Sequence, residues 1–176
     1  MLRLFVGLGL PPELKLRLSL LAAGLPGARW VDPGNFHVTL RFIGEVSETA
    51  AGDVDAGLAR IKAKGFPLTL AGIDHWRAQT LFVAVERHPA LEHLHAKVES
   101  ALWRAGLPPQ GGRFVPHVTL ARLKGVKEPH LQRYLSERAL FRADPIPITG
   151  FALVASYLTK SGAHYEDQAE YPLGAG

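Results

Sequence analysis

The chain contains the tetrapeptide His-Val-Thr-Leu twice, at residues 37–40 and at residues 117–120. In an extended strand, successive side chains point to opposite faces of the sheet, so each copy places its histidine and its threonine side by side on one face. A shuffled chain of this composition would contain only about 0.07 occurrences of the pattern His-apolar-Thr-apolar. Two occurrences therefore indicate a common origin or a common purpose.

Two imidazoles that face each other across a groove suit an in-line displacement at phosphorus. A neutral histidine takes a proton from the attacking water, while a protonated histidine opposite gives one to the leaving oxygen. Threonine hydroxyls donate to the non-bridging oxygens, where negative charge develops. The candidate catalytic residues are therefore His37, Thr39, His117 and Thr119. Spacing alone does not assign the acid and the base, because the two strands look equivalent.

A histidine with an ordinary pKa near 6.5 is partly protonated close to neutrality, so this chemistry needs no metal. The residues also offer no obvious metal site, because the chain has no cysteine and no His-Glu-x-x-His run. The other six histidines stand apart and are interpreted as structural or solvent-facing: His75, His88, His93, His95, His130 and His164. We expect no metal and no other cofactor, and no Walker-type phosphate loop is present in the sequence.

Length and composition indicate one domain with a proper core, residues 1–176, possibly divided into two lobes. The absence of cysteine fits a reducing cytoplasm. The apolar start is interrupted by prolines and charges at residues 11–17, which favours a buried strand and helix over a signal peptide, and no stretch is long enough to span a bilayer. A single Asn and a single Met are typical of a heat-adapted protein.

Net charge is +4, and most of the 20 basic residues are arginines, whose planar fork suits phosphate. This composition favours an anionic ligand or RNA as partner, and nothing indicates a partner protein or a membrane.

Apolar periodicity predicts alternating strands and helices. Strands are expected at about 2–8, 35–42, 67–75, 80–86, 114–122, 146–158 and 163–171, and helices at about 11–23, 47–64, 89–105 and 128–140. Adjacent strands at 67–86 and 146–171 indicate hairpins. The fold class is therefore α+β rather than a purely parallel sheet.

The two halves of the chain, roughly 1–79 and 80–176, run in step. Leu4-Phe5-Val6 corresponds to Leu81-Phe82-Val83, and Ala-Gly-Leu-Pro at 23–26 corresponds to the same four residues at 105–108. The offset between the halves is about 80 residues, which indicates a duplicated β-α-β-α-β-β unit. For Val38, Leu40, Val118 and Leu120, the repeat is explained by packing in a shared core.

These motifs resemble the 2H phosphoesterases, which are defined by two His-x-Thr-x motifs, and most closely the branch of RNA 2′,3′-cyclic phosphodiesterases once called 2′-5′ RNA ligases. The resemblance extends over nearly the whole chain, through RLFVGLGLP, FHVTLRFIGEV, FVPHVTLARL and LVASYLTKSGAHYEDQAEYPL. It implies a bilobal α+β fold with pseudo-twofold symmetry, in which mainly antiparallel sheets line a central groove and helices lie outside.

The resemblance also implies roles for residues. His37 corresponds to the proton donor and His117 to the proton acceptor, while Thr39 and Thr119 correspond to the threonines that hold phosphate oxygens. Arg122 matches a basic residue that approaches the phosphate.

Phe42 matches an aromatic residue that stacks on a base. Strict alternation would place Phe42 and Arg122 on the face opposite the histidines, so both reach the groove only if the strands end or twist near Gly44 and Gly125. Alternation instead puts Arg41 on the histidine face, as a candidate contact to an RNA phosphate.

The expected reaction is metal-independent hydrolysis of RNA 2′,3′-cyclic phosphate ends, tRNA fragments among them, to the 2′-phosphate. Three alternatives remain: 2′-5′ ligation of tRNA halves by the reverse reaction, a binding module for RNA or nucleotides without chemistry, and activity on another cyclic phosphate. A bell-shaped pH-rate profile would separate catalysis from binding alone.

Overall fold

The computed structural model describes residues 1–175, which form four α-helices and nine β-strands. The helices are Pro12–Ser19 (α1), Glu48–Ala59 (α2), Pro89–Arg104 (α3) and Glu128–Glu137 (α4). The strands are Leu2–Gly9 (β1), Arg29–Trp30 (β2), His37–Val46 (β3), Phe66–Trp76 (β4), Thr80–Val85 (β5), His117–Arg122 (β6), Arg142–Ile148 (β7), Gly150–Thr159 (β8) and Gly162–Pro172 (β9).

All four predicted helices are present, and the α+β class is confirmed. The segment predicted as one strand at 146–158 is two strands, β7 and β8, which belong to different sheets. Helices α1, α2 and α4 end earlier than their apolar patterns predicted. The short strand β2 had no sequence signal, because two residues are too few to show alternation.

The helices begin where local chemistry satisfies their free N–H groups. Ser47 caps α2 by accepting a hydrogen bond from the Ala50 amide at 3.1 Å. His88 caps α3 in the same way, with its Nδ1 accepting from the Ala90 amide at 3.1 Å. Helix α1 instead opens with Pro12 at its first position, where no intrahelical donor is required.

The strands form two antiparallel sheets with orders β3-β1-β8-β9 and β2-β6-β5-β4-β7. The duplication is visible in this pairing, because β1 lies between β3 and β8 just as β5 lies between β6 and β4. Each sheet contains strands from both halves of the sequence. Strand β4 of the first half pairs with β5, and strands β8 and β9 of the second half extend the sheet that contains β1. The predicted pair of antiparallel sheets from a duplicated unit is confirmed.

One continuous apolar cluster underlies both sheets and the helices that cover them. Val38, Leu40, Val118 and Leu120 lie in it, each no more than 2% exposed. The neighbouring histidines and threonines of the two motifs are only partly buried, on the opposite face. Strands β3 and β6 contact each other, so the two motifs meet where the sheets adjoin. Within residues 1–175, no helix combines the length and apolar character needed to cross a membrane.

Candidate active site

His37 opens strand β3 and is held by two hydrogen bonds. Its Nδ1 lies 2.7 Å from the Asn35 carbonyl oxygen, and its Nε2 lies 2.8 Å from the Thr39 hydroxyl. A carbonyl oxygen can only accept, so the neutral ring carries its proton on Nδ1 and Nε2 accepts from Thr39. The backbone thus fixes the tautomer and leaves Nε2 as the atom that exchanges protons.

His117 opens strand β6 with the same anchor. Its Nδ1 donates to the Val115 carbonyl oxygen, two residues earlier, at 2.8 Å. No hydrogen bond joins its Nε2 to another group of residues 1–175, in contrast to His37. The repeated strand therefore presents two histidines in the same tautomer, one tethered to its threonine and one free at Nε2.

Aromatic rings from the adjacent strands pack against both histidines. Phe5 of β1 stacks on His37 with ring centroids 4.6 Å apart, and Phe82 of β5 lies edge-on to His117 at 5.6 Å. These phenylalanines occupy equivalent positions in the two Leu-Phe-Val segments. A Cβ atom on Gly7 would lie 3.2 Å from the Phe5 ring and 3.0 Å from the Val38 carbonyl oxygen, so a glycine there leaves room for the stacked ring.

A second ring completes each histidine's surroundings. Tyr165 of β9 lies edge-on to His37 at 5.3 Å, and Trp76 of β4 lies edge-on to His117 at 4.4 Å. Phe5, Phe82, Trp76 and Tyr165 were not among the residues that the sequence analysis predicted for the site. The repeated Leu-Phe-Val segment was the available signal for the two phenylalanines, because its position in the repeat is as regular as that of the histidines.

Burial lowers the pKa of both histidines below the ordinary value. For His37, removal from water is the largest cause, opposed by the hydrogen bond to the Asn35 carbonyl and reinforced by His117 and Lys15. For His117, burial is again the largest cause, and the guanidinium of Arg122 lowers its pKa further. In the free protein, both imidazoles are therefore less protonated at pH 7 than a histidine with an ordinary pKa. A bound phosphate anion would favour the protonated form and restore an acid.

A β-bulge interrupts each motif strand at the same place. Along β3, Thr39 pairs with Gly7 but Arg41 pairs with the next residue, Val6, so Leu40 is the extra residue. Along β6, Thr119 pairs with Phe82 and Ala121 with Leu81, so Leu120 is extra. Two consecutive residues after each threonine are consequently buried. The bulge reverses the alternation that follows it.

Phe42 and Arg122 are the residues that this reversal turns toward the histidine face. Phe42 is 41% exposed and lines a cleft with Thr39 and His117. Arg122 is close enough to His117 to influence its pKa, and its guanidinium donates to the Thr80 hydroxyl at 2.9 Å. The bulge, rather than a twist at Gly44 or Gly125, is what places both residues at the groove.

Arg41 follows the extra residue Leu40 of this bulge and is largely buried, but it borders the cleft that contains Thr39 and His117. Arg41 as a whole residue is 6% exposed. Its Nη1 donates to Glu99 of α3 at 3.1 Å and its Nη2 to the Pro108 carbonyl oxygen at 2.7 Å. Its Nε is buried without a partner among residues 1–175. A contact between Arg41 and an RNA phosphate stays a prediction.

A cleft adjoins each histidine. The cleft beside His37 has a volume of about 380 Å³ and includes Lys15, Tyr165 and Asp167. The cleft beside His117 has a volume of about 400 Å³ and includes Thr39, Phe42 and Trp76. The two clefts flank the paired motifs, so a phosphate held between the histidines has room for groups on both sides. Within residues 1–175, no three His, Asp or Glu side chains are grouped closely enough to hold a metal ion.

Comparison with known proteins gives consistent matches. The family model described as LigT like Phosphoesterase matches the chain twice, at residues 8–83 and 81–165, in agreement with an internal duplication. An RNA 2′,3′-cyclic phosphodiesterase of Aeropyrum pernix is 35% identical, over 86% of this chain and 89% of its own length. Another from Aquifex aeolicus is 30% identical, over 83% of this chain and 82% of its own length. The crystal structure of E. coli LigT complexed with 3′-AMP superposes with a TM-score of 0.79 at 27% identity, covering 98% of this chain and 97% of that one.

Proposed function

This chain belongs to the LigT-like phosphoesterase family and is a phosphodiesterase, and we propose that it hydrolyses 2′,3′-cyclic phosphate ends of RNA to the 2′-phosphate. The earlier resemblance to the 2H phosphoesterases is thereby confirmed. The observation that carries the proposal is the pair of histidines anchored identically at Nδ1, each of which leaves only Nε2 to exchange a proton. A binding module without chemistry would not need two histidines held in this same tautomer.

In the proposed reaction, His117 acts as the base and His37 as the acid. Nε2 of His117 removes a proton from a water molecule, and the resulting hydroxide forms a bond to phosphorus. The bond between phosphorus and the 3′-oxygen breaks, and Nε2 of protonated His37 delivers its proton to that oxygen. The products are a 2′-phosphate and a 3′-hydroxyl. His37 begins the cycle protonated because the bound phosphate anion opposes the effect of burial on its pKa.

The remaining groups act on the phosphate and the base. The hydroxyls of Thr39 and Thr119 donate to the non-bridging oxygens, and Thr39 turns from His37 to the phosphate once Nε2 carries a proton. Arg122 supplies positive charge beside His117, where the attacking oxygen becomes negative. Phe42, exposed in the cleft that it shares with Thr39, offers its ring to the base.

Several relatives support this substrate class. Relatives from Aeropyrum pernix, Aquifex aeolicus and Thermotoga maritima carry the name RNA 2′,3′-cyclic phosphodiesterase, so hydrolysis is proposed and ligation is not. E. coli LigT has been crystallised with 3′-AMP and with phosphate, ligands of the size that a site between the histidines would hold. Cytoplasmic RNA fragments that end in a cyclic phosphate are the substrates that this proposal names.

The test is turnover of 2′,3′-cyclic AMP by chelator-treated protein, with the products separated as 2′-AMP and 3′-AMP. We expect 2′-AMP, and a loss of at least about 10²-fold in kcat for His37→Ala and for His117→Ala. His130→Ala is the matched control, because His130 is exposed on α4 away from the motifs. Turnover within a few-fold of wild type in either motif variant would end the two-histidine mechanism.

A second substrate assigns the acid and the base. In a 2′,3′-cyclic phosphate with sulfur at the 3′ position, the thiolate departs without needing a proton. His37→Ala should then lose much less activity than it loses with the oxygen substrate, while His117→Ala should lose as much as before. The opposite pattern would exchange the two roles.

A further inference from the structure

A groove lies away from the two histidines, between helices α2 and α3. Its volume is about 670 Å³. The helices approach closely at its floor, where a Cβ atom on Gly57 would lie 3.4 Å from the Ala101 carbonyl oxygen. Alanines and glycine on this floor leave the groove open to a backbone of sugar and phosphate.

Positive charge is concentrated along this groove. Four cationic side chains line it: Arg60, Lys62, Lys97 and Arg104. His93 lines it as well, and Asp53 is its only carboxylate. The whole chain has a net charge of only +4. Most of the excess positive charge of the protein is thus located in one groove that the catalytic chemistry does not use.

Three acidic residues of the two helices have partners outside the groove. Asp55 of α2 accepts a hydrogen bond from the Tyr171 hydroxyl at 2.6 Å, Glu99 of α3 binds Arg41, and Glu92 binds Arg87. No ion pair is formed by the four groove cations with any group of residues 1–175. The groove therefore offers its cations to a ligand from outside the chain.

Helix dipoles explain part of this charge but not all of it. Arg60 and Arg104 lie at the C-terminal ends of α2 and α3, where cations are favoured in any helix. Lys97 lies in the middle of α3, and no acidic residue stands three or four positions from it on either side: His93, Leu94, Ser100 and Ala101. Lys62 lies beyond the end of α2.

Helix α3 also carries an exposed tryptophan, which is not itself one of the groove-lining residues. Trp103 precedes Arg104 on α3 and is 64% exposed, although a ring of this size is usually largely buried. Exposed aromatic rings and cationic side chains on one surface are the combination by which proteins bind single-stranded nucleic acid: the bases stack while the phosphates are neutralised. A membrane surface would be met by a convex or flat face, whereas this face is concave.

Helix α3 connects the groove to the active site. His95 and Glu99 on one side of the helix border the cleft that contains Thr39 and His117, while Lys97 and Arg104 on the other side border the groove. An α-helix with its side chains is only about 10 Å across. A strand whose end lies at the histidines thus needs a few nucleotides to cross α3 and reach the groove.

We propose that the α2–α3 groove is a second binding site of this protein, which holds the sugar-phosphate backbone of single-stranded RNA upstream of the cyclic end. The inference extends the proposed function, because it assigns the groove to the body of the RNA whose end is hydrolysed. It predicts that oligonucleotides bind more tightly than mononucleotides, and that this difference depends on the groove alone.

The experiment measures binding and turnover separately. Binding uses fluorescence anisotropy with a labelled 12-nucleotide RNA that carries an uncleavable 3′-phosphate, at several salt concentrations. Turnover uses 2′,3′-cyclic AMP and the same RNA with a cyclic end. The variants are Lys97→Gln/Arg104→Gln and Trp103→Ala, and the matched control is Lys127→Gln/Arg133→Gln, which removes one lysine and one arginine from exposed positions of α4 and its cap.

For Lys97→Gln/Arg104→Gln we expect weaker RNA binding, with the slope of log affinity against log salt reduced by about 1.4, or about 0.7 for each lost phosphate contact. For Trp103→Ala we expect at least about a fivefold loss of affinity. Both variants should hydrolyse 2′,3′-cyclic AMP at the wild-type rate but show a higher KM for the RNA. The α4 control should match wild type in every assay.

Three results would overturn the inference: an unchanged salt slope in the groove variants, an equal loss in the α4 control, or binding to vesicles of anionic lipid but not to RNA. If wild-type protein fails to hydrolyse 2′,3′-cyclic AMP, the proposed function falls, while the anisotropy measurement still tests the groove.

Discussion

Removing the negative charge of Glu99 should destabilise the protein more than removing the positive charge of its partner, Arg41. The side chain of Arg41 is 7% exposed and that of Glu99 is 22% exposed, with 3.1 Å between Nη1 and Oε2. In Glu99→Gln, the guanidinium would remain buried with no counter-charge, and its Nε already lacks a partner within residues 1–175. Loss of one member of a buried pair costs about 3–5 kcal/mol of unfolding free energy.

In Arg41→Leu, the charge that remains is the Glu99 carboxylate, which is more exposed to water than the Arg41 guanidinium. Glu99 has access to water, and the loss of Arg41 removes one of the charges that lower the pKa of His95, which lies 3.7 Å from the other Glu99 oxygen. We therefore expect a smaller loss, about 1–3 kcal/mol. The double variant Arg41→Leu/Glu99→Gln should be more stable than Glu99→Gln alone, because the uncompensated charge has gone.

The assay is urea unfolding at 25 °C, supported by thermal unfolding, where about 3–5 kcal/mol corresponds to roughly 6–20 °C in a chain of this size. Glu137→Gln serves as the control, because its ion pair with Arg133 is exposed and should contribute little. A loss of less than about 1 kcal/mol in Glu99→Gln, or a double variant as unstable as the sum of the single variants, would contradict this expectation. If Arg41→Leu is fully stable but weakens RNA binding and its salt dependence, Arg41 is an RNA contact after all.

Three further predictions concern the site. Because burial lowers the pKa of both His37 and His117, the optimum of kcat/KM should lie below pH 6.5. The optimum of kcat should lie at higher pH, because the bound phosphate anion raises the pKa of both histidines. A kcat/KM optimum above about pH 7 would contradict this. Thr39→Val and Thr119→Val should each lower kcat by about 10²- to 10³-fold in steady-state assays, whereas serine at either position should retain most of the activity. Phe42→Ala should raise KM for 2′,3′-cyclic AMP at least about fivefold with little change in kcat, and Phe42→Tyr should not; equal KM values would exclude stacking on the base.

Much of the fold follows from local pattern. The helices were predictable because proline, serine and apolar periodicity mark their starts, as Pro12 and Ser47 illustrate. The duplication was predictable because its two copies retain the same residues. The assignment of strands to sheets was not predictable, since β7 and β8 are separated by one residue but pair with strands more than 70 residues away. Such long-range pairing leaves no trace in a local pattern.

The site was predictable in its residue types but not in the direction of every side chain. Histidine and threonine alternate as in any strand, and the structure brings both motifs to one junction. The prediction for Arg41 rested on continued alternation, which the extra residue Leu40 reverses. A bulge is defined by the partner strand, here at Val6 and Gly7, so one strand read alone cannot reveal it. The matched burial of Leu120 and Ala121 shows that both copies of the repeat contain the same bulge.

The exchange of strands between the two halves ties the folding of one lobe to that of the other. Neither sheet can be completed until β4 from the first half and β8 and β9 from the second have crossed over. A chain cut near residue 79 would thus yield two fragments with unfilled sheets, neither of which would assemble a working half-site. We expect the intact chain to unfold in one cooperative transition and to fold slowly for its size, because so many of its contacts join distant residues. Two separate copies of one half would complete both sheets only by exchanging these strands. We infer that a strand-swapped dimer preceded this single chain.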